Sequence, residues 1–330
     1  MSDTWTIIRH RLITLPEAVA LISLTILFSF FTFSSPYFLS GISISNILTF
    51  GSITGIVAIG VGLLMISGEF DLSVGSTFAA VSYVLALSLN AGVPVMSAIF
   101  FALMFGTLLG LVNGLIVTRT RIPSFIATLG TMLAYRGLVR AIGGGDFASY
   151  RGEPIPLFKY LNGELTSLNA LFQPAANFRL STVWFVLIVI IVSLVLMRTR
   201  FGNWVFATGG APAAALAQGV HVTRVKMINF ILCGFLAGAA GVLQFAHRLS
   251  VDPLRGEGME LVAVAACVIG GIRLSGGFGT IFGAMAGILL LNMLDQGLVL
   301  LQIPIQIFQA TAGLIIIISV IINTYLGKSE

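Results

Sequence analysis

Two carboxylates set between apolar runs are the side chains in this sequence with the strongest potential for chemistry. Glu69 and Asp71 stand two residues apart in the string GEFDLSVGS, directly before a further apolar run. A charged group at membrane depth is costly unless it is capped, paired or hydrated, and it is therefore a candidate for function. Two interpretations remain open. Either Asp71 caps the following helix in a short turn exposed to water, or the pair lies inside the membrane.

No catalytic or metal-binding arrangement can be recognised in the sequence. The three histidines, His10, His221 and His247, are far apart and lack the spacing of metal ligands. Cys233 and Cys267 each lie in an apolar run, which is typical of buried packing rather than of a disulfide. We therefore predict that the chain is not an enzyme, has no catalytic residues and no metal site, and binds no cofactor itself.

The composition indicates that most of the chain is surrounded by lipid. Only 9% of the 330 residues are charged and 57% are hydrophobic, whereas an ordinary soluble domain has about 25% charged residues. The apolar residues also form long unbroken runs, as transmembrane helices require. The net charge of +5 is scattered rather than clustered, which does not favour a nucleic-acid partner.

A helix that crosses the hydrocarbon core needs about 20 mostly apolar residues. On that criterion we predict an all-α polytopic membrane protein of about ten transmembrane helices, forming a single domain over residues 1–330. The predicted spans are 15–34, 46–66, 72–90, 95–118, 123–142, 181–197, 225–246, 258–272, 278–295 and 306–326. The string GGIRLSGGFG after the eighth span is either a tight turn or a broken re-entrant segment.

The basic residues predict the orientation of these helices. With both termini in the cytoplasm, ten of the 17 lysines and arginines fall on inner segments and seven on outer ones, the direction that the positive-inside rule requires. Loop 143–180 is then periplasmic and carries a short surface helix. Segment 198–224 is cytoplasmic, and its string PAAALAQG has Pro212 at the start and Gly219 at the end of a short helix.

Two helices carry a glycine at every fourth position, and each is followed by an Ile-Pro pair. Their spans lie five apart, which gives them opposite orientations and indicates an inverted internal repeat. The alternative is that glycine-rich helices resemble each other by composition alone. Each ladder permits close helix packing, within the chain or at a subunit seam. The ladders are Gly106, Gly110 and Gly114, and Gly279, Gly283 and Gly287.

The polar groups inside the predicted spans are mostly neutral, which suits a pathway for a hydroxylated solute better than a pathway for ions. A stand-alone secondary transporter or channel remains the rival from a different class. Our candidates for lining or gating the pathway are Glu69, Asp71, Ser73, Asn113, Thr128 and Asn292.

Several strings resemble the ribose-type permeases of bacterial ABC importers. GEFDLSVGSTFAA is similar to a signature of that family, and LVNGLIVTRTRIPSFIATLGT is similar to its next block. Further similar blocks are RTRFGNWVFATGG, GVHVTRVK and VIGGIRLSGGFGT. The blocks run in family order from about residue 46 to residue 326.

The resemblance implies a permease of the type II ABC-importer kind, multi-pass in the bacterial inner (plasma) membrane. Such a subunit pairs with a second permease subunit, as a homo- or heterodimer. Two ATP-binding subunits, or one tandem ATPase, bind ATP and Mg. A periplasmic or lipid-anchored binding protein delivers a monosaccharide or related small polar solute, which crosses by alternating access. An autoinducer, polyol, nucleoside or branched-chain amino acid is the alternative solute.

The resemblance also implies that the short inner helix couples the permease to its ATPase. The family often has an acidic pair in this stretch, whereas residues 211–214 here read Ala-Pro-Ala-Ala. Any salt bridge to the ATPase is therefore expected from Arg198, Arg200 or Arg224 instead. The coupling residues are Pro212, Ala213, Ala214, Ala215, Leu216, Ala217, Gln218 and Gly219.

Overall fold

The computed structural model describes residues 18–143, 145–172 and 175–304, together with positions 307, 310, 311, 313, 314 and 317. Helices dominate this part of the chain, and two short strands, β1 (Ala148–Ser149) and β2 (Ser250–Val251), pair antiparallel. The helices are α1 (Ala18–Ser34), α2 (Gly41–Ile66), α3 (Val74–Asn90), α4 (Val95–Thr120), α5 (Ser124–Ile142), α6 (Pro156–Asn162), α7 (Thr166–Asn169), α8 (Leu180–Arg198), α9 (Arg200–Gly210), α10 (Pro212–Ala217), α11 (Val222–Arg248), α12 (Met259–Ile269) and α13 (Ile281–Leu300).

A helix lies over each of the first nine predicted spans. Among the described residues, six helices are long and apolar enough to cross a membrane, namely α2, α4, α5, α8, α11 and α13. The helices α1, α3 and α12 are apolar but shorter. The tenth predicted span, 306–326, lies outside the continuously described residues, and so do Arg9, Arg11 and Lys328 at the termini.

The two long helices α2 and α11 form the centre of the molecule. They pack against each other, and α3, α12 and α13 complete the buried core around them. The helices α4, α5 and α8 lie further out and expose large apolar side chains, such as Phe101, Leu133 and Ile191. Exposed apolar surface of this extent fits a hydrocarbon environment.

The connecting segments gather at two opposite ends of the helix bundle. At one end, which we call the Gly209 end, Gly209 packs against Ile66, and the 271–279 turn joins them. At the other, the Ser149 end, β1 pairs with β2, and the Asn90 side chain donates to the Ser149 carbonyl. The segments predicted to be inner and outer therefore lie at separate ends.

The first glycine ladder forms a backbone-to-backbone seam between α4 and α11. A Cβ atom at Gly110 would overlap the carbonyl of Phe230, and one at Gly234 would overlap the carbonyl of Gly106. The second ladder is shorter than predicted, because Gly279 precedes α13 and only Gly283 and Gly287 lie on it. Those two pack against the backbone of α12 and the turn after it. Both sets of contacts are made within the chain.

One connection contains a helix that was not predicted, and for another the structure decides between two alternatives. The segment after α8 contains an additional helix, α9, which begins where the Thr199 side chain accepts from the Gly202 amide. The string GGIRLSGGFG is a tight turn. Within it the Gly276 amide donates to Arg273 and the Arg273 amide donates to Phe278.

Candidate functional site

The chain leaves the helical conformation abruptly between α2 and α3. Gly68 ends α2 in the left-handed region, at φ 84°. Its amide donates to the Met65 carbonyl at 2.9 Å, and the Glu69 amide donates to the Leu64 carbonyl at 3.1 Å. This is the Schellman pattern, which glycine favours because it carries no Cβ atom. Residues 67–73, which we call the first break, then lead without helix into α3.

Asp71 is the centre of the first break and is only 1% exposed. Its Oδ1 accepts from the Ser73 amide at 2.8 Å and from the Ser73 hydroxyl at 2.7 Å. Asn113, on α4, donates from Nδ2 to both carboxylate oxygens, at 3.2 and 3.1 Å, and to Ser73 Oγ at 2.7 Å. The Tyr135 hydroxyl in turn donates to Asn113 Oδ1 at 3.0 Å. The carboxylate is thus buried in the protein, with hydrogen-bond donors to both of its oxygens.

The helix α5 holds the backbone of the break along its length. The Phe70 amide donates to the Ser124 hydroxyl at 3.0 Å, and the Leu72 amide donates to the Thr128 hydroxyl at 3.1 Å. One turn further on, the Ser76 hydroxyl donates to the Met132 carbonyl at 2.9 Å. The bonds to Ser124 and Thr128 satisfy amides that the missing helix leaves without partners.

A second break, residues 249–258, lies between α11 and α12 and contacts the first turn of α3, just after the first break. The backbone of Gly256 touches that of Gly75, so a Cβ atom at either glycine would overlap the other segment. Arg136 fixes this loop by donating from Nη1 to the carbonyls of Pro253 and Arg255, at 2.9 and 2.7 Å. Glu260, 8% exposed, accepts from the Gly258 amide. The N-termini of α3 and α12 therefore meet inside the bundle and point in opposite directions.

The two breaks share a sequence pattern that our sequence analysis missed. The first reads Gly-Glu-Phe-Asp-Leu from Gly68, and the second reads Gly-Glu-Gly-Met-Glu-Leu from Gly256. Both glycines have positive φ angles, 84° and 77°. In each string the second acidic residue is buried at the start of a helix. The alignment of these two strings would have directed attention to Glu260.

A cavity of about 750 Å³ opens beside the second break, between α2, α12 and α13. Much of its wall is apolar, including Phe50, Phe78 and Leu291. Its polar groups are Thr54, Gln244, Arg255, Glu257, Asn292 and Asp295. An apolar wall with a few converging polar groups is typical of a site for a small polar molecule.

At the Gly209 end, the two short helices α9 and α10 follow each other closely along the chain. Only Ala211 separates the two helices. Gly219 ends α10 in the left-handed region, at φ 81°, and the Val220 amide donates back to Ala215 at 3.0 Å. Leu216 projects outward, 63% exposed. The helix predicted at 212–219 is thus present as Pro212–Ala217, with Gln218 and Gly219 forming its end.

The candidate pathway residues fall into two groups in the structure. Asp71, Ser73, Asn113 and Thr128 come together at the first break. Glu69 adjoins this group and forms an ion pair with Lys226 of α11. Asn292 alone lines the cavity. Tyr135, Arg136 and Lys226 could not be recognised as partners from the sequence, because each of their contacts joins segments that are distant along the chain.

Comparison with known proteins identifies related permeases over nearly the whole chain. Residues 43–320 match the family model described as the permease component of the branched-chain amino acid transport system. The ribose import permease protein RbsC of Escherichia coli (strain K12) is 34% identical over 310 residues, 94% of each chain. The autoinducer 2 import system permease protein LsrC of Yersinia pseudotuberculosis serotype IB (strain PB1/+) is 34% identical over 304 residues, 91% of this chain and 82% of that one. No solved structure matches the chain.

Proposed function

Because the chain belongs to the family of branched-chain amino acid transport system permease components, we propose that it is the membrane permease of an ATP-driven importer for a monosaccharide or a related small polar solute. The observation that carries this proposal is the match to ribose and autoinducer 2 import permeases over at least 91% of the chain. The solute crosses the bacterial inner membrane, and ATP is hydrolysed by partner subunits.

The two breaks support an alternating-access mechanism. Each lies between a long central helix, α2 or α11, and a shorter helix that begins inside the bundle. Their similar strings and opposite directions are what an inverted repeat of about ten spans would produce, with 306–326 as the last span. Transporters of this design place their pathway at the junction of such broken helices. The cavity beside the second break is our candidate for part of that pathway.

The arrangement of the two ends supports an orientation with both termini in the cytoplasm. The Gly209 end then faces the ATP-binding partners, and the Ser149 end faces a periplasmic or lipid-anchored binding protein. The helix α10 serves as the coupling helix, since it exposes Leu216 on its outer surface while Ala215 is buried. Exposed arginines at this end, Arg198, Arg200 and Arg224, are candidates for ion pairs with the ATPase. A second permease subunit completes the pathway.

Reconstitution tests the proposal directly. The chain is co-expressed with its candidate ATP-binding and solute-binding proteins and placed in lipid vesicles. We expect uptake of radiolabelled solute that requires ATP, the binding protein and all subunits. Uptake by the purified chain alone, without ATP, would instead establish a secondary transporter.

Calorimetry on the binding protein identifies the solute. We expect a ribose-like monosaccharide or autoinducer 2 to bind, because the two named relatives import these compounds. Both are small and hydroxylated, which suits the apolar wall and polar groups of the cavity. Binding of a branched-chain amino acid alone would contradict a sugar-type solute and leave the importer assignment intact.

A further inference from the structure

We propose that the ion pair between Glu69 and Lys226 is a positioning link that transmits movement of α10 to the first break. This inference rests on the proposed function, because it assigns the pair a role in coupling ATP hydrolysis to transport. Neither residue touches the cavity. Their role is to set the position of the segment that leads into Asp71 and α3.

The connection between α10 and the helix that carries Lys226 is short, and part of it is buried. The helix α10 ends at Ala217 and α11 begins at Val222, so four residues connect them. Within that connection Val220 is buried and its amide is bonded to Ala215. Lys226 lies about one turn into α11. A displacement of α10 should therefore also move the first turn of α11, and Lys226 with it.

The other partner, Glu69, is the first residue of the break with a side chain that reaches α11. It follows the glycine that ends α2 and precedes the Phe70 amide, which is bonded to α5. The Glu69 and Lys226 side chains are only 12% and 21% exposed. Shielding of this degree makes an ion pair stronger and more sharply oriented than a pair in open water.

The end of α2 provides a fixed reference for this movement. The Ile66 carbonyl accepts from the Gly277 amide at 2.8 Å. With α2 held at Ile66, a force applied through Lys226 acts on the residues that follow, 69–73.

The two charges are placed against the dipoles of their own helices. Glu69 lies just beyond the C-terminus of α2, where a negative charge is unfavourable, and Lys226 lies near the N-terminus of α11, where a positive charge is unfavourable. Helix stability alone would favour the reverse arrangement. The pair is therefore better explained by the contact it makes between α11 and the break than by stabilisation of either helix.

The test compares variants of the complete reconstituted complex by the number of solute molecules transported per ATP hydrolysed. The main variant is E69Q/K226Q, which removes both charges of the ion pair and so leaves no unpaired buried charge. We expect its ratio to fall at least about fivefold, the lower range of typical coupling between sites, while ATP hydrolysis continues. E69K/K226E, which restores the pair in reversed order, is expected to recover most of the ratio. E164Q, which removes the ion pair between Glu164 and Arg179 at the Ser149 end, is the control and should leave the ratio unchanged.

Each outcome decides for or against the link. An unchanged ratio in E69Q/K226Q, or a loss in E69Q/K226Q without recovery in E69K/K226E, would overturn it. If E69Q/K226Q fails to assemble, K226R and E69Q are compared, and equal ratios in the two would also overturn it. Absence of ATP-dependent uptake by the wild-type complex would overturn the proposed function itself, and the link with it.

Discussion

A buried carboxylate needs hydrogen-bond donors, and Asp71 receives them from two directions. Ser73 supplies its amide and its hydroxyl from the break itself, and Asn113, on α4, donates from Nδ2 to both carboxylate oxygens. An unsatisfied charged group in such a place would cost several kcal/mol. The same bonds that satisfy the carboxylate also fix the break against α4, so the residue that is hardest to bury determines the local geometry.

Replacement of Asn113 by leucine tests this arrangement. N113L keeps a similar volume but removes the donors to both oxygens of Asp71. We expect the free energy of unfolding to fall by about 2–3 kcal/mol, since a hydrogen bond to a buried charged group contributes more to stability than a bond between neutral groups. The measurement is thermal unfolding of the purified protein in detergent. S76A, which removes only the bond to the Met132 carbonyl, should cost clearly less, and equal losses in the two variants would contradict the argument.

The sequence could indicate that Asp71 is unusual but could not indicate its partners. A carboxylate between apolar runs stands out in any hydropathy pattern. Asn113 is 42 positions away, and no local rule selects it over other polar residues inside the spans. Lys226 is 157 positions from Glu69 and was interpreted only as a topology signal. Such pairs follow from the tertiary packing of α4, α5 and α11.

At the scale of the helix, glycine sets how closely α4 and α11 approach. Lipid supplies no hydrophobic force between helices, so van der Waals contact of the backbones must hold them together. Gly106 and Gly110 face Gly234 across this seam, with no side chain between. The seam joins α11, which carries Lys226, to α4, which carries Asn113. Its tightness therefore supports both contacts of the first break.

A methyl group placed in the seam should separate the helices. We expect G234A to lower the free energy of unfolding by about 1–3 kcal/mol through overpacking, because the new Cβ would overlap the Gly106 carbonyl. G130A on α5 is the matched control. It has open space around its Cβ position, and the better helix propensity of alanine should leave stability unchanged or raise it by up to about 1 kcal/mol. The measurement is thermal unfolding of both variants. A destabilisation of G130A as large as that of G234A, or no destabilisation of G234A, would be evidence against the seam.

Helices could be located from the sequence because each long apolar run is sufficient to define one. The breaks and α9 were harder to predict. The spans predicted at 225–246 and 258–272 leave residues 247–257 as an outer connection, whereas the contact of Gly256 with Gly75 brings this segment inside the bundle. Gly279 continues the four-residue spacing of a ladder but lies before α13, because the spacing of glycines does not specify where a helix begins.

At the scale of the whole molecule, the proposed importer requires that α10 binds the ATP-binding subunits. Leu216 is the large apolar side chain that α10 presents to its surroundings, 63% exposed. We expect L216S to reduce co-purification of the ATP-binding subunits, because an apolar anchor at the centre of a small interface contributes much of its affinity. L171S changes a leucine of similar exposure, 78%, at the Ser149 end and should have no effect. Equal retention of the ATP-binding subunits by both variants would argue against docking at α10.

The orientation of the whole molecule is open to a labelling experiment for which the chain provides a clean background. Both native cysteines, Cys233 and Cys267, are buried and should react poorly with a charged maleimide that does not cross the membrane. We expect Q218C, at the end of α10, to be labelled only after the cells are opened, because the proposed orientation places the Gly209 end in the cytoplasm. L171C, at the Ser149 end, should be labelled once the outer membrane is permeabilised. Labelling of Q218C in those same cells would reverse the orientation, and an ATPase in the cytoplasm could then no longer reach the helix that we assign to it.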